Sequence, residues 1–368
     1  MYGLSSATGK IHNGRKRNIV HFNVFHAVYV EKDIFCLTLQ PKKVISPMND
    51  IDEMYMRRCI QLAQNGKQTT RPNPMVGAVI VCDGRIIGEG YHIRSGEGHA
   101  EVNAFASVKS SDEHLLPKST IYVSLEPCSH YGKTPPCADL IIRKGVKRVV
   151  AGCIDPFAKV QGRGLKKISD AGIEVTEGVL EKECLELNKC FITYNTHHRP
   201  YIILKWAQSA NGFIDDGFKP TLFSTPFTQM LSHKMRTETD AILVGRITDE
   251  RDHPQLNVRH WTGRSPMKII IDRSRPFAEG IDFDAPVLPQ LMNYLYSAGI
   301  QSLLVEGGAA THRSFIEAGL FDEIRIETAP VVVKNGTEAA QIPGNVFITN
   351  QEIYDKNVIR TYRLHLLR

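Results

Sequence analysis

Short apolar runs alternate with segments of helical spacing twice over in this chain, on either side of a polar stretch closed by proline. No other feature constrains the fold as much. In the first block Val76 to Cys82, Ile121 to Leu125 and Arg148 to Cys153 read as strands. The His99 region, Cys137 to Lys144 and Gly164 to Ala171 read as helices between them. That texture belongs to a three-layer α/β domain, with helices covering a sheet. A further helical stretch, Leu180 to Tyr194, ends in Thr196-His197-His198-Arg199-Pro200, the expected linker. Beyond it Tyr201 to Trp206, Ala241 to Val244, Lys268 to Ile271 and Ser302 to Val305 are short apolar runs of the buried-strand kind, again with helical segments between. Two α/β domains are expected, 48–196 and 200–368, because 368 residues exceed what one core usually serves.

The first 47 residues fit neither block. They hold a polar, glycine-containing start, a basic cluster and one short apolar stretch, Val20 to Val30, with no companion pattern, and read as a poorly ordered or spurious extension. A transit peptide is the competing reading of so basic a start. Met48 precedes Asn49-Asp50, a plausible helix cap, after which Ile51, Tyr55, Cys59 and Leu62 recur near helical spacing. Lys10, Arg15, Lys16, Arg17, Lys32, Lys42 and Lys43 against Glu31 and Asp33 place +5 of the +6 net charge in this stretch. The body is thus almost neutral, which argues against nucleic acid as its partner. No apolar run is long enough to cross a bilayer. Eight cysteines without a signal-peptide core or cleavage site point to a reducing, cytoplasmic setting, where Cys36, Cys59, Cys82, Cys153, Cys184 and Cys190 read as small apolar residues.

Cys128 and Cys137 need another account. With His99 they offer one imidazole and two thiolates, a three-ligand zinc site that keeps its fourth position for water, as catalytic zinc requires. Zinc brings the pKa of that water toward neutrality. Glu101, two residues from the histidine, is then the proton shuttle and not a ligand, since a shuttle must alternate between protonation states. Cys128 is expected near a helix N-terminus, where the dipole favours the thiolate. A structural site with His130 as fourth ligand is the alternative, but it leaves Glu101 without a purpose.

His99-Ala100-Glu101 with Pro127-Cys128 and a second cysteine resembles the zinc nucleobase deaminases. Their usual Cys-x-x-Cys is replaced here by eight intervening residues, Ser129 to Pro136. That longer form, with Pro72-Asn73-Pro74-Met75-Val76-Gly77 and Gly88-Glu89-Gly90-Tyr91-His92 before it, resembles the deaminase half of the bifunctional deaminase/reductases of riboflavin biosynthesis. The resemblance covers roughly Met48 to Tyr194. It implies a cytidine-deaminase-like fold, one zinc per chain and hydrolytic removal of an amino group from a phosphoribosylated diaminopyrimidinone. It also places Asn73 and His92 in the base pocket and Lys133 at the phosphate. A deaminase acting on nucleic acid and a binding protein with a structural zinc are the competing readings.

The second half resembles the reductase of the same family. The carrying motifs are Lys205 with Ser209, Arg236 before Thr239-Asp240-Ala241-Ile242-Leu243-Val244-Gly245, Asp252-His253-Pro254-Gln255-Leu256-Asn257-Val258-Arg259, Ile271-Asp272-Arg273 and Glu306-Gly307-Gly308. No Gly-x-Gly-x-x-Gly occurs, so a standard dinucleotide fold is not expected. The resemblance implies a dihydrofolate-reductase-like domain that uses NADPH to reduce the ribose to a ribityl chain, in a homodimer. By that resemblance Lys205, Arg236, Leu256, Arg259 and Glu306 meet the substrate. Gln208, Thr248, Asp252, Arg273, Gly308, Ala309, Ala310, Thr311, His312, Arg313 and Ser314 line the cofactor site. Three departures stand out. Asn211 replaces an aspartate, Leu222 aligns with a tryptophan, and the segment after Asp272 is shortened between 276 and 286, which predicts a sheet at least one strand poorer and makes a deaminase with an impaired reductase domain the alternative.

Overall fold

The computed structural model describes residues 47–131, 135–156 and 161–364. Expectations for the extension before Pro47, Cys36 included, fall outside the described residues. The chain opens with α1 (Pro47–Gln64), β1 (Gly77–Cys82), β2 (Arg85–Tyr91), α2 (Ala100–Ala106) and a 3-10 segment, Ser110–Lys118. It continues through β3 (Thr120–Val123), α3 (Cys137–Lys144), β4 (Arg148–Ala151), α4 (Arg163–Asp170), β5 (Glu174–Thr176), α5 (Glu181–Leu187) and α6 (Lys189–His197).

These strands form one sheet in the order β2-β1-β3-β4-β5. Its β2–β1–β3 side is antiparallel, and β3–β4–β5 is parallel. Every residue of β1 is buried because both faces are covered. Ala78 and Ile80 pack with Ala104, Phe105, Ile121 and Ile141 on one face. Val79 and Val81 pack with Tyr55, Met56, Cys59 and Val150 on the other. Asn49 and Asp50 do not cap α1, whose first residue is Pro47, so they sit inside its first turn. The expected single helix from Leu180 to Tyr194 is two, broken at Asn188. The Asn188 amide leaves the helical pattern to pair with the Met75 main chain, accepting from its N–H (2.8 Å) and donating to its carbonyl (2.9 Å).

After His198 and Pro200 come β6 (Tyr201–Gln208), α7 (Pro226–Thr237), β7 (Ala241–Gly245), α8 (Arg246–Asp252), β8 (Met267–Ile271), α9 (Val287–Ser297), β9 (Ser302–Val305), α10 (Ala309–Glu317), β10 (Glu323–Thr328), β11 (Val346–Tyr354) and β12 (Asn357–Leu364). They build a second sheet in the order β11-β12-β10-β6-β9-β7-β8. The five strands from β10 to β8 run parallel. The β11–β12 hairpin extends the sheet antiparallel beyond β10. Ile202, Leu204 and Trp206 pack under Leu291, Leu295 and Phe315, while Tyr201, Ile203, Ile242 and Leu304 form the core of the opposite face.

Between Ile271 and Val287 the chain makes no strand, so β8 ends the sheet on that side. Asn211 keeps the turn after β6 closed. Its Oδ1 accepts from the Ser209 hydroxyl (2.9 Å) and the Val333 N–H (3.2 Å), and its Nδ2 donates to the Val333 carbonyl (2.9 Å), a bond an aspartate could not make. Leu222 lies exposed. No helix among the described residues is long and apolar enough to cross a membrane. Both sheets belong to one compact unit, Ser46–Arg368.

Candidate active sites

The first site gathers where the antiparallel and parallel parts of the first sheet meet. His99 is the residue before α2, in extended backbone, and Glu101 lies buried in the first turn of that helix. The loop leaving β3 carries Cys128, and Cys137 opens α3. His99 Nδ1 is 3.6 Å from Cys128 Sγ and 3.4 Å from Cys137 Sγ. Tetrahedral zinc bonds to one nitrogen and one sulfur would hold those atoms about 3.6 Å apart, so the donor set fits the ion in kind and spacing. All three ligand atoms lie within 4.8 Å of one another, whereas His130 is exposed and outside the cluster.

Cys128 ionises first of the two thiols. The Cys137 thiol hydrogen-bonds to it, His99 faces it, and the Cys137 N–H at the start of α3 donates to its sulfur (3.3 Å), which together lower its pKa. Cys137 is pushed up correspondingly. The loop between β3 and Cys128 is fastened by Glu126, a buried carboxylate that accepts the N–H groups of Gly162 (2.9 Å), Gly164 (2.8 Å) and Asp155 (3.3 Å). A Cβ at Gly164 would sit 1.9 Å from the Pro127 carbonyl, so only glycine lets α4 approach the zinc loop this closely.

Glu101 is 3% exposed and is pushed up to about 7, by burial first and then by the negative charge on Cys128. A carboxyl that changes protonation near neutrality can both take and give a proton. His92, also buried, is shifted down by desolvation and is therefore neutral. Its Nδ1 faces the Gly98 carbonyl at 3.2 Å, which fixes the proton there and leaves Nε2 to accept from Asn73 Nδ2 at 3.3 Å. The His92 and His99 rings meet edge to face at 5.3 Å. The structure thus brings His99, Glu101, Cys128, Cys137, His92 and Asn73 into one locality. Lys133 lies outside the described residues.

The second site lies at the carboxyl ends of the parallel strands, the usual ligand position in such sheets. Lys205 is near the end of β6, and Glu306 follows β9. Arg236 of α7 forms a fork on Glu306 (2.6 and 3.3 Å) and donates to the Asn257 carbonyl (3.0 Å). Burial pushes Glu306 up, but the charges of Lys205 and Arg236 outweigh it and the net shift is downward, so Glu306 stays ionised. Leu256, buried with φ +51°, turns the chain into the Asn257–Arg259 segment. An apolar residue in the left-handed region stores backbone strain, a feature of ligand-binding turns. His233, unmarked by any motif, accepts the Arg259 N–H on Nδ1 (3.1 Å) and is held neutral, its pKa pushed down to about 4 by burial and by Arg236 and Arg259. A histidine three residues before Arg236 was the only available signal.

Beside this cluster the Gly307-Gly308 turn enters α10. Gly308 N–H donates to the Thr248 hydroxyl (3.0 Å). A Cβ on Gly245 would stand 2.5 Å from Thr311 Oγ1, and one on Gly307 would stand 3.0 Å from the Gly245 nitrogen, so the two glycine turns can approach only without side chains. Gln208 accepts the Trp206 indole N–H (2.8 Å), Asp252 pairs with Arg251 (2.8 Å), and Arg273 pairs with Asp284. Ala310, Arg313 and Ser314 are exposed along α10, and Ala309 is buried. His312 departs from the expectation of a cofactor-lining side chain. Its imidazole is turned into the core, 3.0 Å from the Val305 carbonyl and tilted against the Trp206 ring at 5.0 Å, because the helical period that exposes Ala310 and Arg313 buries His312.

A zinc-dependent deaminase domain followed by a reductase domain is the class these two sites and sheets define. Residues 49–153 match the family model of the cytidine and deoxycytidylate deaminase zinc-binding region, and residues 200–350 match that of the RibD C-terminal domain. The riboflavin biosynthesis protein RibD of Aquifex aeolicus is 38% identical over 324 residues, 78% of this chain and 90% of that one. That of Bacillus amyloliquefaciens is 35% identical over 341 residues, 82% and 91% of the two chains. Among solved structures, the diaminohydroxyphosphoribosylaminopyrimidine deaminase/5-amino-6-(5-phosphoribosylamino)uracil reductase of Thermotoga maritima is 35% identical with a TM-score of 0.78, over 86% of this chain and 100% of that one. The chain belongs to the RibD family, the bifunctional deaminase/reductases of riboflavin biosynthesis.

Proposed function

We propose that this chain deaminates 2,5-diamino-6-(5-phosphoribosylamino)pyrimidin-4(3H)-one by hydrolysis and then reduces the ribosyl group of the product to a ribityl phosphate with NADPH. The observation that carries the reading is Glu101, buried and poised near neutrality beside a His-Cys-Cys set at zinc spacing. His99, Cys128 and Cys137 would hold one zinc per chain, and zinc when bound lowers the pKa of a water beside the ring carbon. Glu101 takes a proton from the attacking water and delivers it to the ring nitrogen. It then takes the proton of the newly added hydroxyl and passes it to the departing amino group, so the C–N bond breaks, ammonia leaves and a carbonyl remains. Neutral His92 and the Asn73 amide orient the base, and Lys133 is assigned to its phosphate.

In the reductase half Arg236 and Arg259 take the substrate phosphate, with Glu306 holding Arg236 in place and Leu256 setting the turn. Lys205 faces the opened ribose. NADPH supplies the hydride, and its binding residues are Gln208, Thr248, Asp252, Arg273 and the turn and helix from Gly308 to Ser314, with His312 contributing through its main chain only. The exposed β11 edge supports a homodimer, and the eight cysteines support a cytoplasmic setting. The test is ammonia release from the phosphoribosylated diaminopyrimidinone, compared with cytidine and RNA, followed by NADPH oxidation. Release from cytidine or RNA alone would remove this reading.

A further inference from the structure

The turn that carries Asn73 is fastened from both halves of the molecule. Within the deaminase half, the Asn73 N–H donates to the Thr70 carbonyl (2.9 Å) and the Ser95 N–H to the Thr69 carbonyl (3.1 Å). The Thr69 and Thr70 N–H groups also donate to the Gly66 carbonyl (3.0 Å each), and the Thr69 hydroxyl donates to the Ile93 carbonyl. On Arg71 and Pro72, the two residues next to Asn73, the fastenings cross to the reductase half. Arg71 donates to Asp240 Oδ1 (2.5 Å) and to the Glu238 carbonyl, and Gln301 Nε2 donates to the Pro72 carbonyl (2.7 Å). Lys67 pairs with Glu238 at 3.0 Å.

Asp240 is itself fixed from several sides. Its Oδ2 accepts from the Gln301 N–H (3.1 Å) and the Ser302 hydroxyl (3.0 Å), and its Oδ1 also accepts from Arg264 (2.6 Å). The Arg71 and Asp240 side chains are 17% and 9% exposed, so water competes little for them. Asp240 and Ser302 stand at the starts of β7 and β9, on the rigid sheet of the reductase half. A turn tied to that sheet on the two residues before Asn73 inherits its position from it.

We propose that Asp240 and Gln301, acting through Arg71 and Pro72, are positioning residues for deamination. They keep the 70–73 turn where Asn73 Nδ2 reaches both His92 and the pyrimidine. The proposal rests on Asn73 lining the base pocket, as assigned above. A displacement of about 1 Å in such a group costs up to about a hundredfold in rate, and the sheet is the element that prevents it.

The test uses the full zinc-loaded chain and four variants, Arg71→Met, Arg71→Lys, Gln301→Ala and Asn73→Ala. Measured for each are kcat and KM for deamination, reduction of the deaminated product, zinc content and the thermal midpoint. Arg71→Met should raise the deamination KM about tenfold, with reduction and zinc content unchanged, and Arg71→Lys should recover part of the loss. Gln301→Ala should raise KM by a smaller factor, and it decides the question if Arg71→Met does not fold. Normal deamination in Arg71→Met and Gln301→Ala, with a raised KM in Asn73→Ala, would overturn the proposal and leave the base-pocket assignment standing. A normal KM in Asn73→Ala would overturn the assignment itself. Equal loss of both activities alongside a lowered midpoint would show that these residues only hold the fold together.

Discussion

Two side chains give the sharpest tests of the proposed chemistry, one in each half. Glu101 sits in the first turn of α2 with almost no exposed surface, and burial first, then the charge on Cys128, pushes it up to about 7. As pH falls through that value the carboxylate is protonated and can no longer accept the water proton. Deamination should therefore show an acid limb well above the usual glutamate range, measurable as kcat/KM against pH. Glu101→Gln should keep about one zinc per chain and lose at least about a hundredfold in deamination, with no acid limb left to measure. Near-normal turnover in that variant would discard the shuttle. In the second half Arg273 is exposed and, among the described residues, paired with Asp284, a tie weak enough for a 2′-phosphate to compete with. Arg273→Ala should reduce the preference for NADPH over NADH, read from titration of both cofactors. An unchanged preference would remove the residue from the cofactor site.

At the scale of elements, what could be read from the sequence was whatever is local. β1, β4, β7 and β9 are apolar runs buried on both faces, and their composition alone marks them. β2 contains two glycines and two charged residues, β10 alternates Glu323, Arg325 and Glu327 with apolar residues, and β11 is largely exposed, so none stands out as a run. The zinc set was legible because His99 and Glu101 share one helix start and the cysteines flank one loop. Arg71 belongs to no motif and Asp240 stands in the Thr239–Gly245 motif 169 residues away, and only folding makes them a pair. His233 and the Arg259 N–H it accepts were hidden in the same way. The shortened connection after β8 was visible, and the structure adds how its remaining turn is built. Asp272 accepts from Ser274 N–H (2.9 Å), Ser274 Oγ (2.8 Å) and Arg275 Nε (2.9 Å), and Arg275 also reaches Asp249 on α8 (2.9 Å). Arg275 therefore ties the end of the edge strand to its neighbour. Arg275→Ala should weaken NADPH binding about threefold, the scale of an exposed ion pair, without touching deamination. Equal weakening of both activities would mean the damage had spread beyond this edge.

Among the described residues the molecule has two well-covered cores and one long exposed sheet edge. β11 is nine residues long, pairs only with β12 and leaves most of its length exposed at the end of the seven-stranded sheet. Ile348 and Ile353 on it are 52% and 65% exposed. Natural edge strands are usually short, bulged or charged, because an open apolar edge invites another strand or sheet onto it. β11 has one irregularity, between Ile348 and Asn350, and one charged residue, Glu352, yet keeps Ile348 and Ile353 exposed. The other edge of the same sheet, β8, is five residues long and is followed by the Asp272 turn with its arginines, which suits an edge that faces water. The asymmetry points to pairing through β11, and two copies meeting there would form a symmetric interface of like on like. The cleft at the carboxyl ends of the parallel strands draws its residues from β6 to β9, so assembly through β11 need not close it. Sedimentation or light scattering of the full chain should give twice the chain mass. Ile348→Lys with Ile353→Lys should shift that mass to one chain, because burying two lysines in an apolar interface is costly. Deamination should persist in the separated chain, since every residue assigned to the zinc site comes from the same copy. A double variant that remains dimeric would place the interface elsewhere, and a chain already monomeric at micromolar concentration would show that the exposed edge serves another purpose.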